Sequence, residues 1–212
     1  MTRPLLRWAE FVCVFVLLPI TAFVFREPLK VWLLPILCLL ALGCLLLILA
    51  DNRFKRFRLT NYGAIRPQAR VTAGTFAAGA MASLLIFALW LPDKLFSLPL
   101  SEPLGWLLLI AIYPLFSVIP QELIFRTYLF HRFKTIMPAK RVRVLVSAAV
   151  FALAHIIYAN WIAVALAFVG GLLFAQTYAS SRSTAACVLE HSLWGLWLFT
   201  LGAGQYLTLQ AS

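Results

Sequence analysis

The sequence predicts an all-α, polytopic transmembrane helix bundle of about seven spans, with its N-terminus in the cytoplasm. Of the 212 residues, 63% are hydrophobic and only 12% are charged, whereas about a quarter of the residues of a soluble domain carry a charge. The mean hydropathy is +0.94. The apolar residues also fall into long runs, and a helix of roughly 20 apolar residues crosses the hydrocarbon core of a bilayer.

Seven apolar runs delimit the predicted spans, and short polar segments separate them. The runs cover residues 8–25, 31–50, 71–92, 104–131, 144–158, 161–180 and 185–206. We divide the chain into two units on this basis. Residues 1–100 contain the first three helices and the basic loop 51–70, and residues 101–212 contain the remaining four helices.

The first run has the basic start and apolar body of a secretory signal peptide. However, Glu10 interrupts the apolar body, and no cleavage site of small residues follows it. We therefore expect this segment to be retained as the first helix of the bundle.

The formal net charge of +11 indicates topology rather than nucleic-acid binding. Most lysines and arginines cluster in two short segments between apolar runs, residues 53–70 and 132–143. Short basic loops of this kind stay on the cytoplasmic side of a membrane. Both segments and the N-terminus are therefore predicted to be cytoplasmic, with the lipid bilayer and its anionic headgroups as partners and no nucleic acid.

The fourth run, residues 104–131, is too long for one perpendicular span. At 1.5 Å per residue it would measure about 42 Å, against a hydrocarbon core of about 30 Å. Pro114 and Pro120 each remove a helical hydrogen bond, so they can kink the helix and turn Gln121 toward the bundle interior. A tilted helix whose last turn, with His131, lies among the headgroups also fits.

Several ionisable residues lie within the predicted spans, where charge is costly and a functional role is the first expectation. They are Glu10, Glu122, Arg126, His155, Glu190 and His191. Glu10 lies near a membrane surface, so we expect it to reach the headgroups or Arg7. Glu122 and Arg126 are four residues apart on one helix and can form an ion pair.

Glu122, His155 and His191 are predicted to meet in one polar layer of the bundle. Counting from the cytoplasmic helix ends at 1.5 Å per residue places them about 14, 17 and 9 Å deep. Ser192 points about 100° away from His191, so no serine nucleophile is evident. One carboxylate and two imidazoles can deprotonate a water and polarise a carbonyl, directly or through Zn²⁺. Hydrolysis of a peptide bond in or near the membrane fits this set.

Three sequence motifs on successive helices resemble those of the CAAX-protease and bacteriocin-processing (CPBP, or Abi) family, whose patterns are EExxxR, FxxxH and HxxxN. The corresponding stretches here are QELIFR at 121–126, FALAH at 151–155 and HSLWG at 191–195. The resemblance covers about residues 100–206. It implies a bacterial inner-membrane endopeptidase that cleaves a membrane-anchored protein or peptide, with the catalytic helices in residues 101–212.

The resemblance also implies roles for individual residues. Glu122 and His155 would hold and deprotonate the attacking water, and His191 would stabilise the oxyanion. Gln121 would be an additional donor, and Arg126 would pair with Glu122 and keep it ionised.

Two positions depart from the family pattern, because Gln121 replaces the expected glutamate and Gly195 replaces a polar residue. Glutamine cannot act as a base, so Glu122 must take that role, with Glu190 as a candidate second carboxylate. We expect Phe151 and Trp194 to line the substrate pocket.

The sequence allows either a zinc-dependent or a metal-free enzyme. Glu122, His155 and His191 are three possible Zn²⁺ ligands on separate helices. No further carboxylate is evident to support a zinc-bound histidine unless Glu190 serves. The residues therefore favour a metal-free, glutamate-type enzyme.

Two other function classes remain as alternatives. A non-catalytic relative that acts as a membrane scaffold, chaperone or immunity protein would explain the changes at Gln121 and Gly195. A small proton-coupled carrier would use the same buried charges as a relay, but it needs polar residues that continue toward the outer face. The outer half of the predicted bundle is apolar and aromatic, which argues against a carrier.

Overall fold

The computed structural model describes residues 2–208 and confirms an all-α fold, since 87% of the structure is helical and the described residues contain no strand. Seven long helices form the bundle. They are α1 (Thr2–Val12, continuing through a wide π-helical turn at Cys13–Leu17 into Leu18–Val24), α2 (Leu33–Leu49), α3 (Tyr62–Trp90), α4 (Pro103–Arg132), α5 (Lys140–Ala154), α6 (Trp161–Ser181) and α7 (Thr184–Leu201).

Six helical segments of the described chain are long and apolar enough to cross a membrane. They are Pro4–Val24, Arg26–Leu49, Arg56–Trp90, Pro103–Arg132, Lys140–Tyr158 and Trp161–Ser181. The seventh helix, α7, carries Glu190 and His191, which lower its hydropathy, and it packs against α3 and α6. Large apolar side chains such as Leu39 and Leu46 face outward from the bundle. The protein is therefore an integral, multi-pass membrane protein.

Helix α4 is continuous from Pro103 to Arg132 and contains two wide π-helical turns, Pro114–Val118 and Leu123–Tyr128. The predicted proline kinks thus take the form of widened turns rather than a break. A proline lacks the amide proton of a regular turn, and a π-helical turn inserts one residue into the helix. Every residue of α4 from Glu122 to Phe130 is buried except Leu123, which is partly exposed.

Helices α5 and α6 pack closely because a glycine lies at their contact. A Cβ atom on Gly171 would lie 2.9 Å from the Cα atom of Ala148, so a larger residue would force the two backbones apart. Helix α5 ends at Ala154 and continues as a 3₁₀ turn, His155–Tyr158, which places His155 at a change in helical geometry.

Helix α3 begins at Tyr62, well before the predicted apolar span 71–92, so the basic loop is shorter than the predicted 51–70. Tertiary contacts account for the extension. Gln68 donates a hydrogen bond to Thr177 of α6, with 2.9 Å between Nε2 and Oγ1. This contact satisfies the side chain of Gln68, which the hydropathy pattern assigned to a loop.

Glu10 has the structural role expected of it. One carboxylate oxygen lies 3.0 Å from Nη1 of Arg7, and the other lies 2.7 Å from Nε of Arg132 and also accepts a hydrogen bond from Tyr128. Glu10 therefore joins the start of α1 to the end of α4.

Candidate active site

The structure brings Glu122 of α4 and His191 of α7 into direct contact. Glu122 is fully buried, and its Oε1 lies 2.8 Å from Nδ1 of His191. The Nε2 atom of the same imidazole lies 3.2 Å from the hydroxyl of Tyr113. An ionised carboxylate only accepts hydrogen bonds, so Nδ1 donates to Glu122 and Nε2 accepts from the tyrosine hydroxyl.

Arg126 forms the predicted ion pair with Glu122, with 3.3 Å between Nε and Oε2, and both side chains have no exposed surface. The guanidinium carbon also lies 4.3 Å from the ring centre of Phe151 and 5.4 Å from that of Phe174. A buried cation needs such compensation, and aromatic faces supply part of it. The two terminal nitrogens of Arg126 have no hydrogen-bond partner among the described residues.

His155 lies beside this pair without joining it. Its Nδ1 lies 2.7 Å from the carbonyl oxygen of Phe151, and its ring centre is 4.6 Å from that of Phe151. The ring centre of His191 lies 5.6 Å from the same phenylalanine. A carbonyl only accepts, so Nδ1 of His155 carries the proton and Nε2 keeps its lone pair. Glu122 and His191 of the predicted polar layer are therefore in contact, and the rings of both histidines lie near Phe151.

Gln121 and His155 line one cavity of about 170 Å³, whose other walls are mostly apolar side chains of α1 and α2. Gln121 donates from Nε2 to Oγ of Ser117 at 2.8 Å. Its Oε1 atom is buried and has no hydrogen-bond partner within residues 2–208. The amide oxygen can thus accept a hydrogen bond from a water or from a substrate.

A second cavity of about 320 Å³ is also lined by His155. The predicted pocket residues Phe151 and Trp194 line it, together with His155 and His191. Glu122 lines neither of these cavities, because Arg126 and His191 cover its two oxygens.

The position of Gly195 is filled by a residue that the sequence reasoning missed. A Cβ atom at residue 195 would lie 2.2 Å from the hydroxyl oxygen of Tyr113. The tyrosine hydroxyl thus takes the space of the polar side chain that the family pattern has on α7. A tyrosine in an apolar run gives no strong signal by itself, and the glycine is the better indication, since the missing side chain leaves space for another group.

Glu190 does not join the predicted layer. It is buried on another face of α7, where its Oε1 accepts a hydrogen bond from Thr72 of α3 at 3.3 Å. It lines a separate cavity of about 280 Å³. Adjacent helical residues point about 100° apart, so the neighbour of His191 faces α3 instead of α4.

The residues present do not fit a zinc site in this arrangement. Within residues 2–208, no group of three or more histidine, cysteine, aspartate or glutamate side chains is placed to hold a metal ion. Both ring nitrogens of His191 make hydrogen bonds, and Glu122 contacts that ring directly.

The comparison with known families agrees with the motif reading. The family described as "Type II CAAX prenyl endopeptidase Rce1-like" matches residues 103–197, from the start of α4 into α7, which include all three motifs. No curated protein and no solved structure matches the chain. The part of the chain that carries Glu122, His155 and His191 is therefore similar to a protease family, the Rce1-like type II CAAX prenyl endopeptidases.

Proposed function

We propose that this protein is an intramembrane endopeptidase of the bacterial inner membrane that hydrolyses a peptide bond of a membrane-associated protein or peptide. The observation that carries the proposal is the Glu122–His191 contact. It holds the histidine with Nδ1 toward a buried carboxylate while the ring lines a cavity that His155 also lines. A carboxylate in this position holds the imidazole in one tautomer and one orientation.

In the proposed mechanism, His155 takes the proton of the attacking water at Nε2. This differs from the role expected for Glu122, because that carboxylate lines neither cavity and has both oxygens engaged. Gln121 lines the same cavity as His155, and its free amide oxygen can accept a hydrogen bond from the water. Glutamine thus orients the nucleophile without deprotonating it.

The hydroxide oxygen then attacks the scissile carbonyl carbon, and the carbonyl oxygen becomes an oxyanion. The hydroxyl of Tyr113, which His191 positions through Nε2, turns to donate to that oxyanion, while Nδ1 of His191 keeps its hydrogen bond to Glu122. The proton held by His155 passes to the leaving amine as the carbon–nitrogen bond breaks. Glu122 and Arg126 are positioning residues in this scheme.

The experiment follows C-terminal processing of a candidate membrane-anchored substrate in cells that express wild type, His155→Ala or Glu122→Gln. Removing a general base lowers rates by a factor of roughly 10² to 10⁴, so we expect no detectable processing by His155→Ala. Glu190→Gln is the matched control, because it neutralises a buried carboxylate outside the site. Unchanged processing by His155→Ala, at normal expression, would contradict the proposal.

A non-catalytic role is the second candidate, and the side chains at two positions favour it. Gln121 replaces a base, and Gly195 has no side chain, its space being filled by the hydroxyl of Tyr113. A membrane chaperone or scaffold of this kind would bind a substrate peptide that no variant cleaves. Co-purification of the intact substrate with wild type, together with no cleavage after purification, would favour this candidate.

Metal dependence is tested on the same purified protein. The proposed metal-free mechanism predicts that processing survives exhaustive treatment with a chelator and that metal analysis finds less than one zinc per chain. Loss of activity that added Zn²⁺ restores would instead support the ligand set Glu122, His155 and His191.

A further inference from the structure

A further cavity, of about 710 Å³, lies at one end of the bundle, where α1 begins and where α2 and α4 end. None of the side chains that line it lines either cavity of the candidate active site. Five cationic side chains face it: Arg7, Arg53, Arg58, Arg132 and Lys134. Among the described residues, two carboxylates also face it, Glu10 and Asp51.

Both carboxylates are already engaged. Glu10 pairs with Arg7 and Arg132. Asp51 accepts hydrogen bonds from the backbone amide of Arg53 at 2.9 Å and from the ring of His131 at 3.0 Å, and these contacts hold the pKa of Asp51 below its usual value. The carboxylates therefore leave an excess of positive charge at the cavity.

Three of the cations have no acidic partner. In the described part of the chain, no carboxylate forms an ion pair with the side chain of Arg53, Arg58 or Lys134. The Nε atom of Arg58 is also buried without a hydrogen-bond acceptor among these residues. A buried donor without an acceptor costs free energy, which an anionic oxygen in the cavity would recover.

The loop that carries Arg58 is held in place by the turn between α6 and α7. The carbonyl oxygen of Arg58 accepts a hydrogen bond from Oγ1 of Thr184 at 3.2 Å, and that of Thr60 accepts one from Oγ of Ser183 at 2.8 Å. Phe54 of the same loop is buried in the hydrophobic core. A site on a fixed backbone loses less entropy on binding than one on a free loop.

We propose that this cavity binds the phosphate group of an anionic phospholipid. Basic pockets between transmembrane helices at a membrane surface recognise such headgroups. The volume of this cavity lies in the range that is typical of small-molecule binding sites. Leu6 lines the cavity and is 67% exposed, so an acyl chain has an apolar surface to follow beside the cations. The bound lipid would link α1, α2 and α4.

The test measures lipid binding to the purified full-length protein in neutral detergent by native mass spectrometry, with phosphatidylglycerol and with phosphatidylcholine. The double variant Arg53→Gln/Lys134→Gln removes two exposed cations whose side chains carry no hydrogen bond in the described structure, so it should fold normally. Each basic residue near a membrane surface strengthens binding about five-fold, so we expect the double variant to bind phosphatidylglycerol roughly 25-fold more weakly.

The matched control is Lys140→Gln/Arg141→Gln, which removes the same charge from two exposed residues of α5 that do not line the cavity. We expect it to change phosphatidylglycerol binding by less than about two-fold. Equal weakening in both double variants would indicate unspecific attraction and overturn the proposal, as would equal binding of the two lipids by wild type.

A second pair of variants tests Arg58, whose Nε atom is buried. Arg58→Gln should weaken binding, whereas the exposed neighbour Arg56→Gln should not, since Arg56 does not line the cavity. Competition with inorganic phosphate distinguishes a lipid ligand from a soluble phosphate compound. Full competition by millimolar phosphate would keep the site but assign it to a soluble phosphate compound, and a lack of competition would assign it to the lipid.

Discussion

Replacing Glu122 with glutamine is expected to destabilise the folded protein strongly, because the change leaves Arg126 as an uncompensated buried cation. Both side chains have no exposed surface, and their closest nitrogen and oxygen atoms are 3.3 Å apart. Removing one partner of a buried ion pair typically costs about 3–5 kcal/mol. The faces of Phe151 and Phe174 remain near the guanidinium and retain about 0.5–2 kcal/mol of stabilisation. We therefore expect a loss of about 3 kcal/mol.

The assay is reversible unfolding in mixed micelles, with Glu190→Gln as the control. That glutamate is also buried and accepts a hydrogen bond from Thr72, and no arginine forms an ion pair with it in the described residues. Its replacement should cost less than about 1 kcal/mol. If Glu122→Gln destabilises the protein no more than Glu190→Gln, the ion-pair argument is wrong.

A double-mutant cycle isolates the pair from the other contacts of each residue. The Arg126→Met change removes the cation that Glu122→Gln would leave unpaired. The double variant should therefore be more stable than the sum of the single losses predicts, by about 2 kcal/mol or more. Additive losses would show that Glu122 and Arg126 do not depend on each other.

Three further predictions concern the active site and the topology. Gly195→Ala places a Cβ atom 2.2 Å from the hydroxyl of Tyr113, so it should cost about 1–3 kcal/mol of stability. The control is Gly43→Ala, which should cost no measurable stability because no atom lies within 4 Å of the added Cβ. Tyr113→Phe should lower the rate of substrate processing about 10²- to 10³-fold at unchanged expression, and a normal rate would exclude Tyr113 as an oxyanion donor. Reporter fusions after residues 94 and 134 should report the periplasm and the cytoplasm respectively, and the reverse result would contradict the predicted orientation.

The sequence was sufficient for the part of the site that depends on spacing along one helix. Glu122 and Arg126 are four residues apart, and side chains at that spacing share a helical face, so their ion pair was predicted and is confirmed. The depth calculated for His191 was also sufficient to predict that it lies near Glu122. The catalytic roles of these residues remain predictions.

Rotation of the helices about their axes could not be read from the sequence. Depth follows from residue number at 1.5 Å per residue, but a rotation of 100° separates neighbouring side chains. This rotation places His191 against Glu122 and directs Glu190 toward Thr72. It also places the hydroxyl of Tyr113 over Gly195, a contact between α4 and α7 for which the motifs gave no indication.

The sequence by itself determined that the chain is an all-helical membrane protein, because hydropathy and run length follow from composition, and its motifs indicated the protease family. Only the tertiary structure decided that Glu122 binds His191 directly while His155 shares a cavity with Gln121. These contacts join three helices through side-chain packing. Packing between helices depends on the azimuth and the widened turns of each helix, which no local pattern of residues encodes.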